Sequence, residues 1–380
     1  MAEFYIGLIS GTSMDGIDAV LCDFSPHPPA ILAARTLAFE PGQRAMLDRL
    51  RQDPEHFPAT ELAQLDALLG DAFAAAALAV LGDAGLEAAQ IMAIGSHGQT
   101  VLHRPEANPP HTLQIGDPNR IAAATGILTI ADFRRADLAA GGQGAPLAPL
   151  IHQALLSDPD ENRVVVNLGG IANISVLPAR GGVSGFDTGP ANCFLDLWYR
   201  RHHAERFDAA GAWAAGGRPD LNWLAQLLAD PYFRLPPPKS TGIEYFSPSW
   251  LTRRLPDWAG QRPANVQATL LEFSVLSIAQ AIESLPLEDQ PQHLIACGGG
   301  VHNSHLMQRL AERLEPLPVV SSASLGLNPD HVEALLFAWL ARERLAERTL
   351  ATPSVTGASG PILAGVIISP PGDPQLIRAN

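Results

Sequence analysis

Short apolar runs punctuated by glycine-rich polar turns alternate along this chain with longer stretches of helical periodicity. Residues 4–9 and 17–22 are apolar and flank a polar turn holding Gly11, Thr12, Ser13, Asp15 and Gly16, the composition of a hairpin. A third strand is expected over 31–39, then helices over 41–51 and 59–81. Residues 91–95 predict a short buried strand ending in Ser96, His97, Gly98, Gln99 and Thr100. Polar residues at the carboxyl end of a strand are where open α/β sheets place ligands. Asp117 and Pro118 have the chemistry of a helix start, Gly126 that of its end, and 127–130 is a strand with Asp132, Arg134 and Arg135 at its exit. The segment 141–144, GGQG, is expected to be a flexible hinge.

The second half repeats the pattern. A strand at 163–168 leads to Gly169, Gly170 and Asn173, then strands follow at 174–177 and 183–186, the last running into Asp187, Thr188, Gly189 and Pro190. The echo predicts two related β-β-β-α-β-α units. Helices are expected at 192–201, 220–229 and 264–284, with a loop over 236–245. A strand at 293–297 ends in Gly298, Gly299 and Gly300, and a helix opens near Asn303. Asn328 and Pro329 predict the start of a last helix, in which Val332, Leu335, Leu336, Trp339 and Leu340 form one apolar stripe. Glu333 lies at the edge of that stripe. Trp198, Trp250 and Trp339 are expected in cores.

Composition narrows the classes. With 380 residues, 47% of them apolar, two globular domains are expected. A net charge of -14 and no basic run argue against nucleic acid or an anionic membrane as partner. Cys22, Cys193 and Cys297 are odd in number and widely spaced, which predicts free thiols and a reducing, cytoplasmic setting, as does the lack of a leader-like apolar segment. Lys239 is the only lysine and sits in PPPKSTG, so the Gly-x-x-x-x-Gly-Lys phosphate loop is excluded. The hairpin tip at 11–16 offers another solution: backbone N–H groups, two hydroxyls, and the acids Asp15 and Asp18 beside a triphosphate.

Two glycine turns on hairpins and one at a strand-to-helix junction resemble the actin, Hsp70 and sugar-kinase ATPase superfamily. Within it the chain resembles the anhydro-N-acetylmuramic acid kinase family nearly end to end. The motifs that carry the likeness are GLISGTSMDGID at 7–18, SHGQT at 96–100, LQIGDPNRIA at 113–122, DFRRADLAAGGQGAPLAP at 132–149, NLGGIANIS at 167–175, FDTGPAN at 186–192, CGGGVHN at 297–303, NPDHVEALLFAWLA at 328–341 and PSVTGASGP at 353–361. Ile243, in KSTGIEYF, departs from the pattern, which has a basic residue there.

The resemblance implies two duplicated RNase H-like domains around a central cleft, over 1–135 and 136–380, with the C-terminal tail able to return to the first. It implies ATP and Mg²⁺, a 1,6-anhydro sugar of peptidoglycan turnover as substrate, and a homodimer. Asp187 is the implied general base; the residues alone leave open a turn or capping acid. Glu333 is the second carboxylate, or a first-turn acid favoured by the helix dipole. Gly11, Thr12, Ser13, Met14, Asp15, Gly16, Ile17 and Asp18, with Gly169, Gly170 and Asn173, would hold the phosphates, Asp15 and Asp18 the metal, and Gly299, Gly300 and Asn303 the adenosine. His97, Gln99, Thr100, Asp132, Arg134 and Asn192 would face the sugar, Arg134 gripping its carboxylate unless it pairs with Asp137. A sugar kinase acting on a free hydroxyl, or a nucleotide-gated binding protein, are the rival expectations.

Overall fold

The computed structural model describes residues 2–11, 14, 16–54 and 56–372. The chain forms two compact units, Met1–Leu147 with His331–Asn380, and Ala148–Asp330. The first unit thus extends twelve residues past the expected division at 135 and includes the whole C-terminal stretch.

In chain order the strands are β1 (Phe4–Ser10), β2 (Ile17–Asp23), β3 (Ala30–Leu37), β4 (Ile91–Arg104), β5 (His111–Ile115), β6 (Thr129–Ala131), β7 (Arg163–Leu168), β8 (Ile171–Leu177), β9 (Ser184–Pro190), β10 (His293–Cys297), β11 (Val319–Ser321) and β12 (Val366–Ile368). Among the described residues the first unit's sheet runs β12-β6-β4-β1-β2-β3, with β5 hairpinned onto β4, and the second unit's runs β11-β10-β7-β8-β9. Each has an antiparallel three-strand meander whose first strand pairs in parallel with a fourth, and the fourth in parallel with a fifth. The same order in both units is the duplicated α/β architecture that the echo in the sequence predicts.

Strand alternation assigns the faces of the first sheet. Ile6, Leu8, Ala19 and Leu21 share a core with Leu65, Leu69, Phe73, Ala77 and Val80 of the Ala59–Ala84 helix. That helix is long and apolar enough by composition to cross a membrane, but half of its most apolar window is buried within the protein. On the opposite face, the Val332–Leu345 helix lies directly on Gly7 and Gly95, where an added Cβ would fall onto the carbonyl oxygens of Ala334 and Phe337. In the second unit Val164, Val166, Leu168, Ile174, Val176 and Phe186 pack with the Pro263–Glu283 helix. The other face is covered by the Ala148–Leu156 helix, whose His152 Nδ1 pairs with Ser175 Oγ at 2.8 Å. Trp198 and Trp250 are core residues, as expected.

Several predicted boundaries move. The SHGQT segment lies inside β4, not beyond a strand ending at Gly95, because β4 continues through a register shift to pair with β5. The last helix begins at Val332; Asn328 instead closes a turn by accepting from the Asp330 N–H at 3.0 Å. Segment 141–144 is not a loose hinge. Gly142 N donates to the Asp137 carbonyl, Gly144 N to the Asp137 carboxylate at 2.6 Å, and Gln143 N to the Thr356 carbonyl, all within the first unit.

Candidate active site

Cross-strand register gathers a polar row in the second unit. Cys297 of β10 pairs with Asn167 of β7, Asn167 with Asn173 of β8, and Asn173 with Asp187 of β9. Their neighbours Val166, Leu168, Ile174 and Phe186 point into the helical core, so by alternation these side chains share the other face. Directly paired side chains in an antiparallel ladder stand about 5 Å apart. Asn173 and Asp187 are therefore adjacent, both within strands, whereas the sequence pattern puts Asn173 in a glycine turn and Asp187 at a strand end just before a turn.

Asp187 lies on the sheet's edge strand, and the loop after Tyr232 docks on it. Its N–H donates to the Lys239 carbonyl at 3.1 Å, and its Oδ2 accepts from the Thr241 N–H at 2.8 Å. The Tyr232 hydroxyl donates to its backbone carbonyl at 2.6 Å. Burial pushes the carboxyl up to about 7, against the Thr241 N–H and Lys239, with Glu244 adding to the rise. Lys239 does not bond the carboxylate: its Nζ donates to the Tyr232 carbonyl at 3.2 Å and sits over the Tyr232 ring. Tyr232 is fixed in turn by fully buried Asp230, which accepts from Tyr232 N, Tyr245 Oη, Trp250 Nε1 and Arg254. The loop carrying Ile243 thus has a role that needs no basic side chain, since its backbone holds Asp187. These partners are 45 and 54 residues from Asp187, and no local pattern announces them.

The first unit holds a polar cluster of its own. His97, buried in β4, places Nδ1 3.0 Å from the Gly98 carbonyl and accepts from Arg134 Nε on Nε2 at 2.9 Å. Those partners define a neutral imidazole with its proton on Nδ1, and burial holds its pKa well below the usual histidine value. Arg134 also donates Nη1 to the Gly144 carbonyl at 2.7 Å. Burial lowers Arg134 to about 10, opposed by the carboxylates of Glu333 and Asp137, and it stays a cation at neutral pH. With Nε committed to His97, the two-pronged grip through Nε and Nη2 is pre-empted. Asp137 is no surface partner for it: it is fully buried and accepts from Gly144 N and Thr356 Oγ1. Glu333 is an exposed first-turn acid of its helix. Asp132 holds a left-handed conformation at φ 58°, uncommon for a residue with a side chain. Gln99 is buried, with both ends of its amide engaged, by Ser10 Oγ at 2.6 Å and the Thr100 carbonyl at 3.0 Å. Thr100 Oγ1 accepts from Gln114.

The glycine turns differ in what they leave open. Thr12, Ser13 and Asp15 lie outside the described residues. Of their neighbours, Gly11 has open space where a Cβ would be, whereas Gly16 packs against the Leu37 carbonyl. Met14, also left-handed at φ 55°, and Ile17 send their side chains into the core, so only their backbones can meet a ligand. Asp18 accepts from Thr36 Oγ1 at 2.5 Å. In the second unit Asn192 Nδ2 donates to the Leu168 and Gly169 carbonyls, both at 2.8 Å, and so braces the turn at Gly169 and Gly170. Gly299 is open, Gly300 packs on Leu168, and Asn303 caps the Ser304–Leu314 helix through the Leu306 N–H.

The sequence model described as anhydro-N-acetylmuramic acid kinase matches residues 3–370. A protein of that name from Xanthomonas axonopodis pv. citri (strain 306) is 54% identical over 369 residues, 96% of this chain and 98% of the relative. The chain belongs to the anhydro-N-acetylmuramic acid kinase family. The Xylella fastidiosa (strain Temecula1 / ATCC 700964) protein of the same name is 50% identical over 371 residues, 96% of each chain. As a kinase of this family the chain is a phosphotransferase, and the rival expectation of a non-catalytic binding protein falls. Asp187 belongs to the second unit, Asp18 and Glu333 to the first.

Proposed function

We propose that the chain opens the anhydro ring of 1,6-anhydro-N-acetylmuramic acid with water and phosphorylates the oxygen so released, in cell-wall recycling. A 1,6-anhydro sugar has no hydroxyl on C6, because that oxygen closes the bridge to the anomeric carbon. Water therefore attacks C1 while Asp187 takes a proton from it. The C1–O6 bond breaks, O6 bonds to the γ-phosphorus of ATP, and the bond to ADP breaks; the products are N-acetylmuramic acid 6-phosphate and ADP. The observation that carries this reading is Asp187 itself, a carboxyl raised to about 7 and fixed by the Thr241 N–H at 2.8 Å. A base is most effective when its pKa lies near the working pH.

Phosphoryl transfer rests mainly on positioning and charge neutralisation. The open backbone at Gly11 and the braced turn at Gly169 and Gly170 suit phosphate oxygens, and open Gly299 suits a nucleoside. Among the described residues no three or more His, Cys, Asp or Glu form a metal cage. Mg²⁺ needs none, since one or two carboxylates suffice beside phosphates and water. Asp18, with Asp15, would hold it, and when bound it would neutralise phosphate charge. Arg134, Asp132, Gln99, Thr100 and His97 would face the sugar, with neutral His97 as an orienting partner of Arg134 rather than a proton carrier, and Asn192 would act through the turn it braces. Glu333 would orient water or the metal shell. Free Cys22, Cys193 and Cys297 accord with a reducing cytoplasm, and the family resemblance supports a homodimer.

The test is turnover in ¹⁸O-labelled water with ATP, Mg²⁺ and the anhydro sugar, read by mass spectrometry. Sugar phosphate with one heavy oxygen on C1 is expected. Sugar-independent ADP release would sink the reading.

A further inference from the structure

Buried polar atoms in folded proteins are almost always hydrogen-bonded, and each exception calls for an explanation. Two of this chain's exceptions flank one carboxylate. Asn173 Oδ1 and Thr241 Oγ1 are shielded from solvent yet have no hydrogen-bond partner among the described residues. Asn173 is the direct cross-strand neighbour of Asp187, and Thr241 gives its backbone N–H to Asp187 Oδ2 at 2.8 Å. The carboxylate thus has an unpartnered amide oxygen on its cross-strand neighbour and an unpartnered hydroxyl on the loop residue that holds it, from two strands and a loop that share no local sequence. An amide oxygen only accepts, so Asn173 Oδ1 suits a proton-bearing ligand and repels a phosphate oxygen. A buried water takes two to four such partners.

We propose that Asn173 Oδ1 and Thr241 Oγ1, together with the Asp187 carboxylate, hold the water that attacks the anomeric carbon. The inference rests on the ring-opening reading and moves Asn173 from the phosphates to the nucleophile. The water donates one proton to Asp187, which removes it as the C1–O bond forms, and the other to Asn173 Oδ1. Thr241 Oγ1–H donates to a water lone pair, leaving the second lone pair for C1. Asn173 and Thr241 are positioning residues: they neither gain nor lose a proton, and they fix the oxygen along its line of attack.

The experiment uses the full chain with ATP, Mg²⁺ and the anhydro sugar, comparing wild type with Asn173→Ala, Thr241→Val and Thr241→Ser in water and in water containing methanol. Wild type must first place ¹⁸O from water on C1; its failure to do so overturns the ring-opening reading, not the placement of the water. With that established, Asn173→Ala and Thr241→Val are expected to lower kcat about 10- to 100-fold, the scale of a misplaced reactant. KM for the sugar should stay within about twofold, and Thr241→Ser, which keeps the hydroxyl, should restore most of the rate. Methanol is the second readout, because it adds to C1 as a methyl glycoside when the water is loosely held. The ratio of methyl glycoside 6-phosphate to reducing sugar should rise at least severalfold in the two deleted variants and return in Thr241→Ser. A raised KM with kcat intact would assign the two atoms to a sugar hydroxyl and overturn the proposal. Unchanged kcat and an unchanged methanol ratio would overturn it as well.

Discussion

At the scale of single residues, Asp187 as the proposed base would couple activity to stability with opposite signs. As a base it must be ionised, so kcat should rise with pH through about 7 and then level, with Glu244 raising and Lys239 and the Thr241 N–H lowering the midpoint. His97 stays neutral across that range and should contribute no limb. Folding shifts the Asp187 carboxyl upward, so between its unfolded value and about 7 the native state binds the extra proton. Stability therefore falls as pH rises through that window. Asp187→Asn keeps an acceptor for Thr241 and removes the titration. Turnover should drop by about 10² to 10⁴, while thermal melts at pH 8 should show the variant more stable than wild type, with the gap narrowing as pH falls toward the unfolded carboxyl value. A variant that melts lower at pH 8 would mean the carboxylate is stabilised where it lies. Asp187 was legible in the sequence through its motif. Thr241, Tyr232 and Asp230 were not, because they act through backbone groups and contacts far apart in the chain, which no spacing rule reports.

Secondary-structure elements were legible where periodicity and turn chemistry agreed, as in the β1–β2 hairpin and its second-unit counterpart β7–β8. They were misjudged where tertiary pairing overrode local signals. β4 runs on past its apolar stretch because β5 supplies hydrogen bonds that no local pattern shows. Asn328 and Pro329 mimic a helix start, but the helix waits for Val332, where it meets the sheet. The contact itself depends on glycines inside strands, a signal that is visible but easily read as weakness. Gly95→Ala would drive a methyl onto the Phe337 carbonyl, backbone against backbone, and should cost about 1 to 3 kcal/mol or more. Gly82, in the Ala59–Ala84 helix with open space around its absent Cβ, is the contrast: Gly82→Ala should stabilise by about 0.5 to 1 kcal/mol. Urea midpoints of the two variants against wild type decide both, and equal midpoints would refute the account of the helix–sheet contact.

At the scale of the whole molecule, the duplicated strand order was legible because each unit restarts with the same strand, glycine turn and strand. The way the chain's end completes the first unit was much less so. The Val332–Leu345 helix that begins this return carries a periodic apolar stripe, but β12 on β6 and the short segment before it are too brief for a periodic signal. The return is nevertheless tied to the interior, since Thr356 Oγ1 donates to buried Asp137 at 2.7 Å across 219 residues of sequence, and Asp137 also fixes Gly144 N. Gly144 in turn supplies the carbonyl that orients Arg134. The C-terminal segment thereby steadies the arginine proposed to face the sugar without touching it. Thr356→Val keeps the shape and deletes that donor, at a cost of about 1 to 3 kcal/mol for a hydrogen bond to a charged group. Hydrogen exchange should then quicken at the amides of Gly142 and Gly144 while those of β7 and β8 in the second unit keep their rates. Uniform acceleration in both units would show that Thr356 contributes only to global stability, and that the link from the chain's end to Arg134 is not a local one.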